Sequence, residues 1–239
     1  MATVLILGGT SGIGEATARA FAARGDDVTV VGRDEQRLQG ALERLGDGVR
    51  GETLDACDGD AVGALAATLQ PIDVLVLAVS GAAGAGPFAQ LALDDLREGF
   101  EGKFWAQVGA LQRALPALAD DAAVVLVTAG SARAALPGTS GLAAINGALE
   151  AMVAPLAAEL APRRVNAVSP GVIDTPWWDA QTPEMRAATF DAFAGHVPAG
   201  RIGRPEDVAA AIVALASNGY VTGTVLDCAG GAQLAIGPR

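Results

Sequence analysis

Lysine, tyrosine and histidine are almost absent from this 239-residue chain, which has one of each: Lys103, Tyr220 and His196. No Tyr or Lys occurs anywhere between 104 and 219, which excludes a Tyr–Lys pair in the second half of the chain. With one histidine and two isolated cysteines, Cys57 and Cys228, neither a metal site nor a disulfide framework is expected. Basic residues are outnumbered, and the formal net charge is −11. Such a surface opposes nucleic-acid backbones and anionic membranes, so neither is an expected partner. No basic flank precedes Val4-Leu5-Ile6-Leu7, which reads as a first strand and not as a signal peptide. No apolar run is expected to reach the length of a membrane span. Together these absences predict a reduced, soluble, cytoplasmic protein. Aromatic residues are scarce at 4%, yet Trp177, Trp178, Phe190 and Phe193 fall within one stretch.

What is present points to one α/β domain covering 1–239. Short apolar runs alternate with Ala/Leu-rich amphipathic stretches, the pattern of a parallel sheet covered on both faces by helices. Strands are predicted at 3–8, 27–32, 49–54, 73–79, 123–128, 163–168 and 224–228. Helices are predicted at 12–24, 34–45, 59–69, 89–118 (broken near Gly99), 141–161 and 205–217. Asp34, Asp60 and Pro205 read as helix starts, Gly25 and Gly46 as helix stops. Pro155 is expected to kink or break its helix. The segment 170–204 reads as a long irregular insert that covers a ligand crevice.

The strongest motif is the first. The run Thr3-Val4-Leu5-Ile6-Leu7 enters Gly8-Gly9-Thr10-Ser11-Gly12-Ile13-Gly14, and a helix pattern follows. Glycines at 8, 12 and 14 suit a tight turn, close approach of backbone to a pyrophosphate, and close helix–strand packing. A helix starting there aims free N–H groups and its positive dipole end at phosphate. The second strand ends Val31-Gly32-Arg33, with no acid to accept from a ribose hydroxyl and a forked cation suited to a 2′-phosphate. NADP(H) is therefore favoured over NAD(H), the alternative being a solvated Arg33 at a helix start.

Beyond the glycine loop, Asp55-Ala56, Asp73-Val74-Leu75-Val76, Arg164-Val165-Asn166-Ala167-Val168-Ser169-Pro170-Gly171, Asp174-Thr175 and Arg201–Ala209 complete a set of motifs. With them the chain resembles the short-chain dehydrogenase/reductase family over nearly its whole length. The resemblance implies a single-domain, doubly wound Rossmann fold with a seven-stranded parallel sheet in the order 3-2-1-4-5-6-7. It implies cofactor contacts from Gly8, Thr10, Ser11, Gly12 and Ile13 in the first loop and from Arg33, Asp55 and Ala56 at the adenosine end. Further contacts are implied from Ala78, Val79, Ser80 and Thr128, and from Pro170, Gly171, Ile173 and Thr175 near the nicotinamide. A homodimer or homotetramer built on the two long helices is implied as well.

The family's proton-transfer set is where the chain departs. Matched through Gly147–Met152, Ala129 stands at the family's Ser position, Leu142 at its Tyr and Asn146 at its Lys, while Lys103 stands at its Asn. Leu77-Ala78-Val79-Ser80 replaces the usual Asn-Asn-Ala-Gly. Asn and Lys are thus exchanged between two helices, which makes Lys103 and Asn146 candidate site residues. The other reading of Lys103 is a surface lysine on an amphipathic helix. His196 is a third candidate, as a donor in a loop that closes over the substrate, or it is simply solvated. Two functions lead, an NADP(H)-dependent oxidoreductase acting on a small apolar carbonyl, imine or activated alkene, and an inactive NADP(H)-binding sensor or partner subunit; a third, a repurposed site for proton transfer or elimination, has no residue pattern in its favour.

Overall fold

The β-branched and leucine-rich runs line up as a single sheet. In this computed structural model, which describes residues 1–234, seven strands pair in the order β3-β2-β1-β4-β5-β6-β7. They are β1 (Thr3–Leu7), β2 (Asp27–Gly32), β3 (Val49–Thr53), β4 (Ile72–Leu77), β5 (Leu118–Val127), β6 (Arg164–Pro170) and β7 (Val225–Cys228). All pairings are parallel, with Leu5 opposite both Thr29 and Leu75.

Side chains alternate across a strand, so each strand feeds two cores. Leu5, Leu7, Leu75, Leu77, Val124 and Leu126 point to one face. There they meet α3 (Gly59–Leu69), α5 (Ala106–Ala114) and α6 (Ser140–Glu159). Val4, Ile6, Val28, Val30, Val74, Val76 and Val125 point to the other. There they meet α1 (Gly12–Ala22), α2 (Glu35–Leu45) and α8 (Pro205–Ser217). Burial on both faces is why the strands read as continuous apolar runs. The strand order reverses between β1 and β4, with every strand still parallel, and at such a switch point the connections leave on opposite faces and open a crevice beyond the strand C-termini.

Several boundaries differ from expectation. β1 and β4 stop at Leu7 and Leu77 because the next residues turn toward the crevice: Gly8 adopts a positive φ of 84°, and Ala78 only donates back to Leu7 O. β5 starts earlier, at Leu118, with a register irregularity opposite Ile72/Val74. The long helix expected at 89–118 is divided into α4 (Leu93–Gly99), a π-helical turn at Phe100–Trp105, α5, and a 3₁₀ turn at Leu115–Ala117. At Gly99 the helix is not broken: the backbone stays helical and the pattern changes from α to π. A Cβ on Gly99 would lie 2.6 Å from Ala83 O and 2.7 Å from Ile145 Cδ1, so only glycine lets the helix approach there.

α3 is capped by the Asp58 side chain rather than by Asp60, which sits inside the first turn. Asp34 caps α2 as expected, accepting from Arg37 N at 2.9 Å. Pro155 does not break its helix, which runs from Ser140 to Glu159 with the proline on an exposed face. That helix also corrects the expectation about apolar length. By length and composition it could cross a membrane, but its inner stripe of Ile145, Leu149 and Val153 is buried against the sheet. The insert 170–204 is not irregular throughout. It contains α7 (Pro183–His196), capped by Thr182, whose hydroxyl accepts from Met185 N, with Pro183 at the first helical position.

Candidate functional site

A cleft of about 1250 Å³ opens over the C-terminal ends of β1, β4, β5 and β6. Every residue expected to contact a dinucleotide lines it, from Gly8 and Ser11 through Asp55, Val79 and Thr128 to Ile173 and Thr175. Its first wall is the β1–α1 turn. A Cβ on Gly14 would sit 2.1 Å from Gly8 O, so the helix can approach the strand this closely only through glycine. Ser11, the N-cap of α1, makes no side-chain capping bond, which leaves the first-turn N–H groups directed at the cleft. Gly14→Ala is accordingly expected to destabilise the fold by about 1–3 kcal/mol and to weaken nucleotide binding, read from the denaturation midpoint and a nucleotide titration.

At the end of β2, Gly32 packs against the glycine turn. A Cβ there would meet Thr10 Cγ2 at 2.4 Å, so the space above Gly32 is already filled by threonine. Beside it Arg33 and Arg37 both line the cleft, and neither guanidinium has an ion-pair partner among the described residues.

The floor near the centre is built by the helix before β5. Gln107 is fully buried; its Nε2 donates to Val79 O at 3.0 Å and to Val127 O at 3.2 Å, tying the ends of β4 and β5 together. One turn earlier, the π-helical segment brings Lys103 inward. It is 6% exposed, lines the cleft, and donates from Nζ to Thr128 O at 3.2 Å. Burial pushes its ammonium down to about 8, against an opposing pull from the Glu150 carboxylate. The surface-lysine reading is thereby excluded. Aromatic edges pack the outside of the same turn, Phe104 against Phe100 and Trp105.

Asn146 goes elsewhere. It is buried, with Nδ2 donating to Leu142 O at 2.8 Å and Ser131 Oγ at 3.2 Å, and it is not among the cleft-lining residues. Ala129, Leu142 and Ser131 do line the cleft. His196 ends α7 rather than lying in a loop; it reaches the cleft rim exposed, with Nδ1 2.6 Å from Ala192 O of its own helix. Tyr220 is 99% exposed.

The roof is the aromatic insert. Trp177 Nε1 donates to Gly81 O at 3.3 Å, across to the loop after β4, and Trp178 Nε1 to Ile173 O at 2.9 Å. The two indoles meet edge-on at 4.6 Å, and Trp178 packs on Phe190. Arg186 holds the roof together by pairing with Asp174 and Asp179. Leu136, Leu142, Trp177 and Phe193 make this end of the cleft apolar.

A family profile described as Enoyl-(Acyl carrier protein) reductase matches residues 8–233. Galactitol 2-dehydrogenase (L-tagatose-forming) from Cereibacter sphaeroides is 33% identical over 244 residues, 96% of this chain and 94% of the relative. The chain belongs to the short-chain dehydrogenase/reductase family. Among solved structures of this family, a small-chain dehydrogenase in complex with NADPH superposes with a TM-score of 0.82 at 30% identity. It covers 98% of this chain and 100% of that one. A short-chain oxidoreductase from Pseudomonas aeruginosa PAO1, described as containing an atypical catalytic center, superposes at 0.86 with 28% identity and 96% coverage of each chain.

For a member of this oxidoreductase family, the cleft and the side chains packed behind it also include residues that no motif announced. Arg37 lies in the first turn of α2, while Arg33 precedes the extended Asp34 cap, and the fold brings both to the cleft. Gln107 lies four after Lys103 and shares its inward face. Glu150, Arg133 and Asp227 come together from α6, the loop after β5 and β7, and no sequence pattern joins them.

Proposed function

We propose that this protein is an NADP(H)-dependent oxidoreductase with a non-standard site, moving a hydride between the cofactor and a small apolar carbonyl, imine or activated alkene. The observation that carries the reading is one continuous cleft. It joins a glycine-turn phosphate cradle, two arginines without an ion-pair partner among the described residues, a single buried ammonium and an apolar aromatic roof.

The residues present fit a phosphorylated dinucleotide. The uncapped N-terminus of α1 offers N–H donors for the pyrophosphate, and Arg33 with Arg37 offers forked cations for a 2′-phosphate. The NADPH complex of a structural relative agrees with that preference. When bound, the cofactor supplies the hydride; the chain supplies orientation and charge. Ala129 and Leu142, at the family's Ser and Tyr positions, can neither donate nor accept a proton through their side chains. Lys103 is then the group placed to hold a ribose hydroxyl or to give a proton as charge develops on the acceptor. The roof of Trp177, Trp178 and Phe193 excludes water and selects an apolar substrate. The exposed small residues of α6, such as Ala144, Ala151 and Ala158, suit close packing against a second copy.

The test is NADPH oxidation across a panel of apolar ketones, imines and enones, beside fluorescence titration of NADPH. Binding with turnover on at least one class is expected. Tight binding without turnover on any class would turn the assignment to a cofactor sensor or partner subunit, and no binding at all would end both.

A further inference from the structure

The Lys103 amine and the Glu150 carboxylate approach opposite ends of one residue. Thr128 accepts the ammonium with its carbonyl, 3.2 Å from Nζ. Its hydroxyl lies 2.9 Å from Glu150 Oε1 and 3.2 Å from Val168 O; having one proton, it donates to the nearer carboxylate. The second carboxylate oxygen takes Arg133 Nε at 3.1 Å, and Arg133 continues to Asp227 at the end of β7. Glu150 is the one acid on the inner part of α6, and its side chain is 11% exposed. A buried carboxylate is costly unless partnered, and here both oxygens are partnered without direct contact to the ammonium.

We propose that Glu150 is a positioning residue for Lys103: acting through Thr128, with Arg133 as a counterweight, it keeps the buried amine charged and aimed at the reacting end of the cleft. This rests on the reading of Lys103 as the cation of the site. Burial alone favours the neutral amine, and Glu150 is the group that opposes it. The other charges on packed elements are remote or spent. Glu101 on the same turn is exposed, as are Asp94, Asp95, Arg97 and Glu98 of α4 and Arg113 of α5. Asp227 is taken by Arg133, and exposed His196 is bound to its own helix. Arg133 tempers the carboxylate from its far side, leaving the amine poised near the working pH, where a proton donor is most effective.

The single lysine makes a direct experiment possible. Incorporation of [13C]lysine gives one Cε resonance, whose pH titration in the nucleotide-free protein reports the charge of Lys103 without any turnover. The wild-type midpoint is expected at about 8. Glu150→Gln keeps the acceptor for Thr128 but removes the charge, and should lower the midpoint by about one pH unit. Arg133→Gln, at a side chain that is 47% exposed, should raise it. Opposite shifts from two neighbours are not produced by a merely structural contact. The alkaline limb of kcat/KM should move in the same two directions. If Glu150→Gln fails to fold, the Arg133→Gln arm decides alone. A midpoint near 8 that neither substitution moves overturns the role of Glu150 and leaves the proposed function standing. A wild-type midpoint at the ordinary 10.5 removes Lys103 as a buried cation and overturns both.

Discussion

Lys103→Met is expected to lower turnover by about 10²–10⁴-fold, the range for loss of a positioned acid, while making the protein more stable at neutral pH. The two effects share one cause. The fold holds the ammonium at about 8, below its ordinary 10.5. Between those values the unfolded chain binds the additional proton, so stability rises with pH across that window and is lowest below it. Methionine carries no charge to desolvate, and below about pH 8 it relieves up to about 3 kcal/mol. Chemical denaturation of both proteins from neutral to alkaline pH checks this, the difference closing as the pH approaches 10.5. Activity runs the opposite way. A protonated donor is fully present below the folded midpoint, so kcat/KM of the wild type should be flat below pH 8 and fall above it. A Lys103→Met protein that keeps wild-type turnover, or one that is less stable at every pH, would remove Lys103 from the site's chemistry.

Arg33→Ala and Arg37→Ala should each weaken NADPH binding by about 10–100-fold, the range for a charge-assisted hydrogen bond, and leave NADH affinity near its starting value. The double substitution should nearly erase discrimination between the two nucleotides. Cleft-lining guanidiniums with no carboxylate partner among the described residues are available to a dianion. The effect should shrink with added salt, because both side chains border solvent. Nucleotide fluorescence titrations at two ionic strengths measure it. Equal loss for NADPH and NADH would locate the arginines on the shared adenosine half and end the argument for a 2′-phosphate.

Much of the fold was legible because its causes are local or periodic. The apolar runs around Leu5, Leu75 and Leu126 are buried on both faces, so they announce strands whatever their neighbours are. The turn at Gly8 and Gly14 is written by steric need: no other residue lets that helix approach that strand. The missed helix α7 had a local signal too, in Thr182 followed by Pro183 and Glu184, but its scattered aromatics masked it. The change from α to π in the helix before β5 was half visible. Gly99 marked the place, while the π-helical turn that follows depends on packing from other elements.

The sequence by itself determined the parallel sheet, the glycine turn after β1, the arginine at the end of β2, and the absence of any Tyr or Lys between 104 and 219. Each follows from residue type at a position in one segment. Tertiary structure alone decided which of the exchanged residues faces the cleft. Lys103 and Asn146 were both candidates by position, yet a buried turn brings one to the cleft while the other is held by Leu142 and Ser131. It also decided that Glu150 stands behind Lys103. Charge and burial act through space, and the bridging Thr128, just past the end of β5, lies more than twenty residues from either partner.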